Sequence, residues 1–225
     1  NHYDHLDKKS IQWFIQHRPE TQFILPLGLK RWFKKLGARK IIELDWWEEY
    51  TPAKELKITS LPAHHCSKRT LWDSKRSLWC GFMLSYKGKN HYFAGDTAYF
   101  QEIAQIPQRF PQIETAFLPI GAYLPRQFMR DQHTSPKEGL QIFQKINARQ
   151  MVPIHWGTFE LANDGLEGAM LNLQEWLALP DNAPGLCSLL HKGLETPRPE
   201  DKSSQILKSL KSRVKILKMG EALTL

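Results

Sequence analysis

The stretch that decides the fold is NHYDHLD, residues Asn1–Asp7, at the first positions of the sequence. It brings His2, Asp4 and His5 close enough in sequence to meet on one tight loop. Imidazole and carboxylate groups are ligands for divalent ions such as Zn²⁺, Fe²⁺ and Mn²⁺. Such a cluster alone is a modest indication of metal binding, so the case depends on further ligands elsewhere in the chain.

Further candidate ligands stand directly after three apolar runs. KITSLPAHH ends at His64 and His65, HYFAGD ends at Asp96, and MVPIH ends at His155. Each run predicts a strand, so these side chains would lie just past strand ends, where sites usually form. Together with the opening cluster they predict a metal site, in which the Asp96 carboxylate could bridge two ions. The isolated histidines are expected to be surface or structural residues: His17, His91 and His191.

The composition predicts one globular domain over residues 1–225, because 41% of the 225 residues are hydrophobic and 24% are charged. The polar, Pro-rich segment 181–204 reads as a loop or linker within it. The net charge of +8 suits an anionic partner, and equally an ordinary basic surface. Three widely spaced cysteines without a CxxC pair favour a cytoplasmic location. No run approaches the roughly 20 apolar residues of a membrane-spanning helix.

The pattern of elements is strand-rich, with helices between groups of strands. One helix is expected over 10–17, with Ser10 as its N-cap. A second, over 29–36, combines an apolar stripe with a basic face and stops at Gly37. A third opens at Ser135 with a capping box and Pro136 at the first helical position. A fourth follows near residue 166, and the last dozen residues read as a small hairpin.

Several segments resemble a known superfamily. NHYDHLD resembles the end of the HxHxDH motif of the metallo-β-lactamase superfamily, whose first histidine would stand immediately before Asn1. The first strands of one sheet are therefore expected to lie outside this sequence. LPLGLKRWFKKLG, ELDWWEEY, PAHHCSKRTLWD, FAGDTAY, PIGAYLPRQFMRDQH and IHWGTF are similar, in order and spacing, to the N-acyl-phosphatidylethanolamine phospholipase D family. The likeness covers about residues 1–160.

The resemblance implies a four-layer αββα sandwich, an α+β fold with a dinuclear zinc centre at one edge of its two sheets. The implied ligands of the two zinc ions are the histidine before Asn1, His2 and His65 for one; Asp4, His5 and His155 for the other; and Asp96 as the bridge. Spacing alone does not decide whether His64 or His65 is the ligand, and the family pattern selects His65. Cys66 is not expected to be a ligand.

The resemblance also implies an activity: phospholipase D cleavage of N-acyl-phosphatidylethanolamine to phosphatidic acid and N-acylethanolamine by a metal-activated hydroxide. Asp4 would also accept a proton from the attacking water. His133 matches a family histidine that faces the substrate or transfers a proton, and its alternative is a polar residue before the helix cap. Lys68 and Arg69 would either contact the phosphate or pair with neighbouring groups in a structural role.

Two other classes of function stay open. The same ligands would serve a lactonase or a soluble phosphodiesterase, and a non-catalytic lipid-binding relative is a further alternative. The expected partners are a phospholipid substrate and, as in some family members, a second copy of the chain. Peripheral contact with a membrane is expected through Trp46–Trp47 and the basic helix over 29–36. The sequence lacks an RNA-binding signature, so nucleic acid is not expected.

Overall fold

The computed structural model describes residues 1–179, 210–217 and 221–223. The predicted linker over 181–204 lies outside the described residues, and so does part of the predicted C-terminal hairpin. Val214, at the start of that hairpin, pairs with Met151 in an isolated parallel bridge.

The described elements alternate between strands and short helices. The strands are β1 (Gln22–Pro26), β2 (Lys40–Leu44), β3 (Glu49–Ala53), β4 (Leu56–Leu61), β5 (Gly81–Tyr86), β6 (Lys89–Phe93), β7 (Ile113–Pro119) and β8 (Ala148–Ile154). The helices are α1 (Lys8–His17), α2 (Lys30–Lys35), α3 (Gln105–Arg109), α4 (Arg126–Met129), α5 (Pro136–Lys145) and α6 (Gly168–Ala178), and a 3₁₀ turn, Gln101–Ala104, precedes α3. This content agrees with the predicted α+β class. Among the described residues, none of the helices combines the length and the hydrophobicity that a bilayer crossing requires.

A mixed six-stranded sheet forms the centre of the molecule, in the order β3-β4-β5-β6-β7-β8. The pairs β3–β4, β4–β5 and β5–β6 are antiparallel, and the pairs β6–β7 and β7–β8 are parallel. The turn sequence KGKN (87–90) joins β5 to β6 in a hairpin, and Lys87 and Gly88 in this turn both have positive φ. Type I′ hairpin turns require this conformation. Pro153 lies inside β8, which the position of this strand at the edge of the sheet allows.

A smaller parallel pair, β1 and β2, is joined by α2. The apolar stripe predicted for this helix is present, since Leu29 and Phe33 are buried with Leu25 in a second core. Gly37 ends the helix as expected, with a φ of +98°. Across from the six-stranded sheet, Ile24 of β1 helps to line an apolar cavity of about 930 Å³.

The first helix differs from its prediction at the N-terminus. It begins at Lys8 and its N-cap is Asp7, whose Oδ2 accepts hydrogen bonds from the Ser10 backbone N–H and hydroxyl. Ser10 is therefore inside the first turn, because a carboxylate three positions upstream already satisfies its N–H. This cap fixes the segment Asn1–Asp7 directly against the helix.

The predicted capping box of α5 is confirmed. The Ser135 hydroxyl accepts from the Glu138 backbone N–H at 3.4 Å, and the Glu138 carboxylate accepts from the Ser135 backbone N–H at 2.8 Å. Pro136 occupies the first turn. With Leu140 and Phe143 buried, α5 packs on β7 and β8 and closes one face of the large sheet.

Trp46 and Trp47 are only partly exposed. The Trp46 indole N–H donates to the Trp79 carbonyl at 2.8 Å, and Trp47 packs against the main core with the Arg109 guanidinium over its ring. These contacts fit the packing role that is usual for tryptophan better than the membrane contact expected from the sequence.

The topology brings four strand ends to one edge of the sheet. β4 runs antiparallel to β5, and β5 runs antiparallel to β6, so β4 points the same way as β6, β7 and β8. Side chains that follow the C-terminal ends of these four strands must therefore meet at the same edge, as the sequence predicted.

Candidate metal centre

The N-terminal ligands stand on a tight turn. The backbone N–H groups of His5 and Leu6 both donate to the His2 carbonyl, at 3.2 and 2.8 Å. α1 starts directly after this turn, so a helix end holds Asp4 and His5 in position.

Three further ligands come from the sheet edge, as the sequence predicted: His65 after β4, Asp96 after β6 and His155 after β8. His65 is oriented by a 2.8 Å hydrogen bond between its Nδ1 and the Gln132 carbonyl, which directs Nε2 toward the cluster. This second contact of a ligand imidazole is typical of metal sites. The structure therefore brings together all six of the predicted metal ligands that are present in the sequence.

Asp96 lies between two groups of histidines. Its Oδ1 is 3.2 Å from His155 Nε2, and its Oδ2 is 2.9 Å from His5 Nε2 and 3.8 Å from His65 Nε2. His65 Nε2 is in turn 3.3 Å from His2 Nδ1. The carboxylate thus faces one group that contains His2 and His65 and another that contains His5 and His155.

The second group is completed by Asp4. Its Oδ2 lies 3.2 Å from His5 Nε2 and 3.6 Å from His155 Nε2. The donor atoms of Asp4, His5, Asp96 and His155 all lie within 4.8 Å of one another, a spacing that one ion could span.

Unpartnered buried atoms show that the donor set fits a metal. Within the described residues, the buried atoms Asp96 Oδ1, His155 Nδ1 and His155 Nε2 make no hydrogen bond, and the 3.2 Å contact between Oδ1 and Nε2 is an ion-pair contact only. Buried polar atoms are rarely left unpaired in proteins, and a cation would satisfy the oxygen and Nε2. Imidazole and carboxylate donors in this ratio suit zinc and similar divalent ions.

Burial keeps part of the cluster neutral. Desolvation lowers the pKa of His2, of His65 and of His133, the last to about 4. These imidazoles are therefore uncharged at neutral pH, the form in which a histidine binds a metal.

The other group is charged in the metal-free protein. Contact with Asp4 and Asp96 raises the pKa of His5 to about 10. Burial opposes the charged form of His155, but the contacts with Asp4 and Asp96 outweigh it and raise its pKa. In return, contact with His155 and His5 lowers the pKa of Asp4. A dication would replace these protons as the partner of the carboxylates.

His133 lies beside the ligands. Its ring stacks on that of His155 with centroids 5.3 Å apart, and it meets the His65 ring edge-on at 5.1 Å. Within the described residues its buried Nδ1 has no hydrogen-bond partner. This position agrees with the role near the substrate that the resemblance implied.

The two basic residues after His65 differ in their surroundings. Lys68 is exposed. Arg69 Nη1 donates to the Asn1 and Leu6 carbonyls at 2.8 and 2.7 Å, and its guanidinium stacks over the Tyr3 ring at 4.4 Å. Arg69 therefore holds the N-terminal ligand turn in position. This favours the structural alternative, with backbone carbonyls and an aromatic ring as the neighbouring groups.

The structure also separates His64 from His65. His64 is exposed outside the cluster, and its backbone N–H donates to Thr97 Oγ1. The Cys66 thiol donates a hydrogen bond to Gln132 Oε1. Its Sγ also lies within 4.8 Å of the donor atoms of His2 and His65. Of the isolated histidines, His17 is exposed and His91 lies in β6 away from the cluster, and His191 is outside the described residues.

Two residues that support the site were missed in the sequence. Gly121 follows β7, and a Cβ built there would lie 2.0 Å from the His155 carbonyl oxygen, so only glycine fits. Asp164 accepts the backbone N–H groups of residues 122–124 at 3.0 to 3.4 Å. The glycine after the apolar run FLPI was a usable signal, whereas nothing in the sequence connects Asp164 with that loop.

Comparison with known proteins agrees with this geometry. A model of the family described as Beta-lactamase superfamily domain matches residues 1–156. N-acyl-phosphatidylethanolamine-hydrolyzing phospholipase D 1 of Caenorhabditis elegans is 35% identical over 170 residues, 72% of this chain and 48% of that protein. The mitochondrial enzyme of that name from Saccharomyces cerevisiae is 36% identical over 170 residues, 73% of this chain and 36% of that protein. The chain thus spans less than half the length of these relatives.

A solved structure shows the same fold. Igni18, a metallo hydrolase from the archaeon Ignicoccus hospitalis, matches with a TM-score of 0.56 and 21% identity over 72% of this chain and 65% of its own. The predicted fold class and family resemblance are confirmed. Since the family model covers residues 1–156 of the 225, the chain belongs to the β-lactamase superfamily domain family.

Proposed function

We propose that the protein is a zinc-dependent phosphodiester hydrolase of the phospholipase D type, which cleaves N-acyl-phosphatidylethanolamine to phosphatidic acid and N-acylethanolamine. The observation that carries the proposal is the Asp96 carboxylate, which lies within 4 Å of imidazoles of both ligand groups: His65 of the first, and His5 and His155 of the second. This arrangement suits a pair of ions acting on one phosphoryl group. The names of the two relatives at 35% and 36% identity support the choice of substrate.

One zinc ion would be held by His2 and His65, the other by Asp4, His5 and His155, with Asp96 between them. When bound, the ions would act as Lewis acids toward the phosphodiester and make a deprotonated water available at neutral pH.

The chain's own residues would manage the proton. Water attacks phosphorus, the bond from phosphorus to the ethanolamine oxygen breaks, and the leaving oxygen needs a proton. Asp4, an anion among the ligands, would accept the proton of the water and pass it on. His133 is neutral, so it would serve as a hydrogen-bond partner or proton acceptor. Lys68, exposed next to the site, is the proposed phosphate contact.

Hydrolysis in ¹⁸O-labelled water tests the proposal. The protein, loaded with zinc, is incubated with N-palmitoyl-phosphatidylethanolamine in detergent micelles, and both products are analysed by mass spectrometry. We expect N-palmitoylethanolamine without label and phosphatidic acid with one ¹⁸O atom, because attack occurs at phosphorus. Label in the ethanolamine product would contradict phosphoryl chemistry.

The variant Asp96→Asn tests whether activity depends on the metal centre, and a surface variant shows the general effect of removing a carboxylate. We expect release of N-acylethanolamine to fall more than about a hundredfold, since even supporting residues of metal sites contribute about 10–100-fold. Asp131→Asn removes an exposed carboxylate that pairs with Arg130, and it should leave the rate unchanged. A zinc-loaded protein that hydrolyses lactones or soluble phosphodiesters, and leaves the lipid intact, would instead support the other hydrolase classes.

A further inference from the structure

The His133 ring lies beside the candidate ligands, stacked on His155 and edge-on to His65. Within the described residues its buried Nδ1 has no hydrogen-bond partner, whereas the Nδ1 of the ligand His65 is bonded to the Gln132 carbonyl. Imidazoles in active sites are usually oriented by such a bond at the second nitrogen. Because Nδ1 makes none, the placement of the His133 ring depends on how its backbone is held.

Both backbone polar groups of His133 are bonded to α4. The N–H donates to the Met129 carbonyl at 2.8 Å, and the carbonyl accepts from Arg126 Nη1 at 3.0 Å. The next residue, Thr134, is fully buried, and its hydroxyl donates to the Pro119 carbonyl at the end of β7 at 2.6 Å. Three hydrogen bonds thus fix the backbone around His133, and the Arg126 side chain supplies the one at the carbonyl.

The Arg126 guanidinium is held in turn by Glu138, in the first turn of α5. Its Nη2 lies 2.7 Å from both carboxylate oxygens, and the two side chains are only 31% and 24% exposed. A guanidinium carries its donors in a rigid plane, so Nη1 and Nη2 can bond the carbonyl and the carboxylate at the same time. We call this pair the Arg126–Glu138 clamp, because it ties the His133 carbonyl to the start of α5.

We propose that the Arg126–Glu138 clamp positions the His133 ring for its contact with the substrate, so that Arg126 is a positioning residue of the reaction. The inference rests on the proposed function, in which His133 would be a hydrogen-bond partner or proton acceptor. Such a role needs heavy atoms within about 2.6–3.2 Å, and a displacement of about 1 Å can slow a reaction about a hundredfold. A charged bidentate pair is a strong and directional support for that distance.

Two conservative substitutions test the clamp. Arg126→Lys keeps the positive charge, but one ammonium group cannot reproduce the planar bonds to the His133 carbonyl and both Glu138 oxygens. Glu138→Gln keeps an acceptor for the capping box, in which glutamine also serves, and removes the charged partner of Arg126. Arg130→Lys is the matched control, because Arg130 directly follows α4 and its side chain is 70% exposed.

A double-mutant cycle with His133→Gln shows whether the clamp acts through His133. The zinc-loaded variants are assayed for release of N-palmitoylethanolamine in micelles, and the zinc content of each is measured. We expect Arg126→Lys and Glu138→Gln to lower kcat about 10–100-fold, with KM and zinc content unchanged. In the His133→Gln background the same substitutions should have almost no further effect.

The imidazole proton resonances of the zinc-loaded protein give a readout that needs no turnover. The Hε1 signal that disappears in His133→Gln identifies the ring, and its chemical shift depends on the neighbouring rings of His65 and His155. We expect this signal to move in Arg126→Lys and in Glu138→Gln, and to keep its position in Arg130→Lys.

Each outcome supports or overturns the proposal. Losses of kcat that are equal with and without His133, or that appear equally in Arg130→Lys, overturn it. Loss of zinc in parallel with activity also overturns it, because the clamp would then act on the contact between Gln132 and His65. If wild type releases no N-acylethanolamine, the proposed function is wrong, and the resonance alone decides the matter: an unmoved His133 signal in both clamp variants contradicts the clamp, and a moved signal supports it.

Discussion

At the scale of single residues, the charge on His5 makes metal loading depend on pH. In the metal-free protein, contact with Asp4 and Asp96 raises the pKa of His5 to about 10, so its imidazole is protonated at neutral pH. A metal ion can bind this nitrogen only after the proton leaves. The metal-free form therefore holds more protons than the loaded form, and a rise in pH favours loading until the pKa is passed.

We expect the apparent zinc affinity to rise between pH 6.5 and 7.5, by about tenfold for each proton released. Isothermal titration in buffers with different ionisation enthalpies counts these protons directly. His64→Ala, which removes an exposed histidine outside the cluster, should leave the count unchanged. Zinc binding without proton release would contradict a His5 that is protonated in the metal-free protein and loses its proton to become a ligand.

Arg69 offers a second prediction at the residue scale. Lysine cannot donate to both the Asn1 and Leu6 carbonyls and stack flat on the Tyr3 ring, so Arg69→Lys loosens the N-terminal ligand turn. We expect zinc affinity, measured by competition with a chelator, to fall about 10–100-fold, as it does for other residues that support ligands. Arg76→Lys, an exposed change on the same loop, is the control. A higher KM with unchanged zinc affinity would instead mean that Arg69 contacts substrate.

The candidate ligands could be predicted from the sequence because histidine and aspartate side chains are ligands for divalent ions. The choice between His64 and His65 was not readable from spacing, since adjacent residues after a strand can both reach the edge. It depends on the Gln132 carbonyl, which orients the His65 ring across a large separation in the chain. Arg69 was ambiguous for the same reason: its partners are backbone groups, which carry no sequence signal.

At the scale of elements, the approach of two loops at Gly121 positions a ligand. A side chain there would meet the His155 carbonyl oxygen at 2.0 Å, and a backbone group cannot give way as a flexible side chain can. We expect Gly121→Ala to destabilise the fold by about 1–3 kcal/mol, the usual range for overpacking, and to lower zinc affinity. Denaturant unfolding and chelator competition measure the two effects.

Gly168→Ala is the matched control for that change. The nearest atom to a Cβ at Gly168 is the Asp164 Cβ at 3.8 Å, an ordinary contact, and the glycine begins α6. Alanine should be neutral or slightly stabilising there, because it favours a helix. If both variants lost zinc equally, the close approach at Gly121 would not be the reason.

Elements with strong local signals were predicted well, and those fixed by distant contacts were not. The Ser135 capping box and the turn between β5 and β6 are local, and both are present. The strand β3 was not foreseen because it is short, largely exposed and contains Pro52, which its edge position allows. The start of α1 was misplaced because Asp7 and Ser10 are both suitable N-caps. Asp7 occupies the cap position and accepts two hydrogen bonds from Ser10.

At the scale of the whole molecule, the centre exists because strand direction brings distant segments to one edge. The ligands come from the N-terminal turn and from three strand ends, and Asp96 lies at the middle of them. The sequence indicated that these segments belong together, but the distances depend on the pairing of β4 to β8, which no single segment specifies.

The measurement that tests the central claim most directly is the metal content of the purified protein at its full natural length. After zinc loading and dialysis, elemental mass spectrometry is applied to wild type, Asp96→Asn and the surface control Asp131→Asn. We expect two zinc ions per chain in wild type and in the control, and at most one in Asp96→Asn. A wild-type protein without bound metal, or an Asp96→Asn variant that retains both ions, would contradict a centre in which Asp96 joins two metal sites.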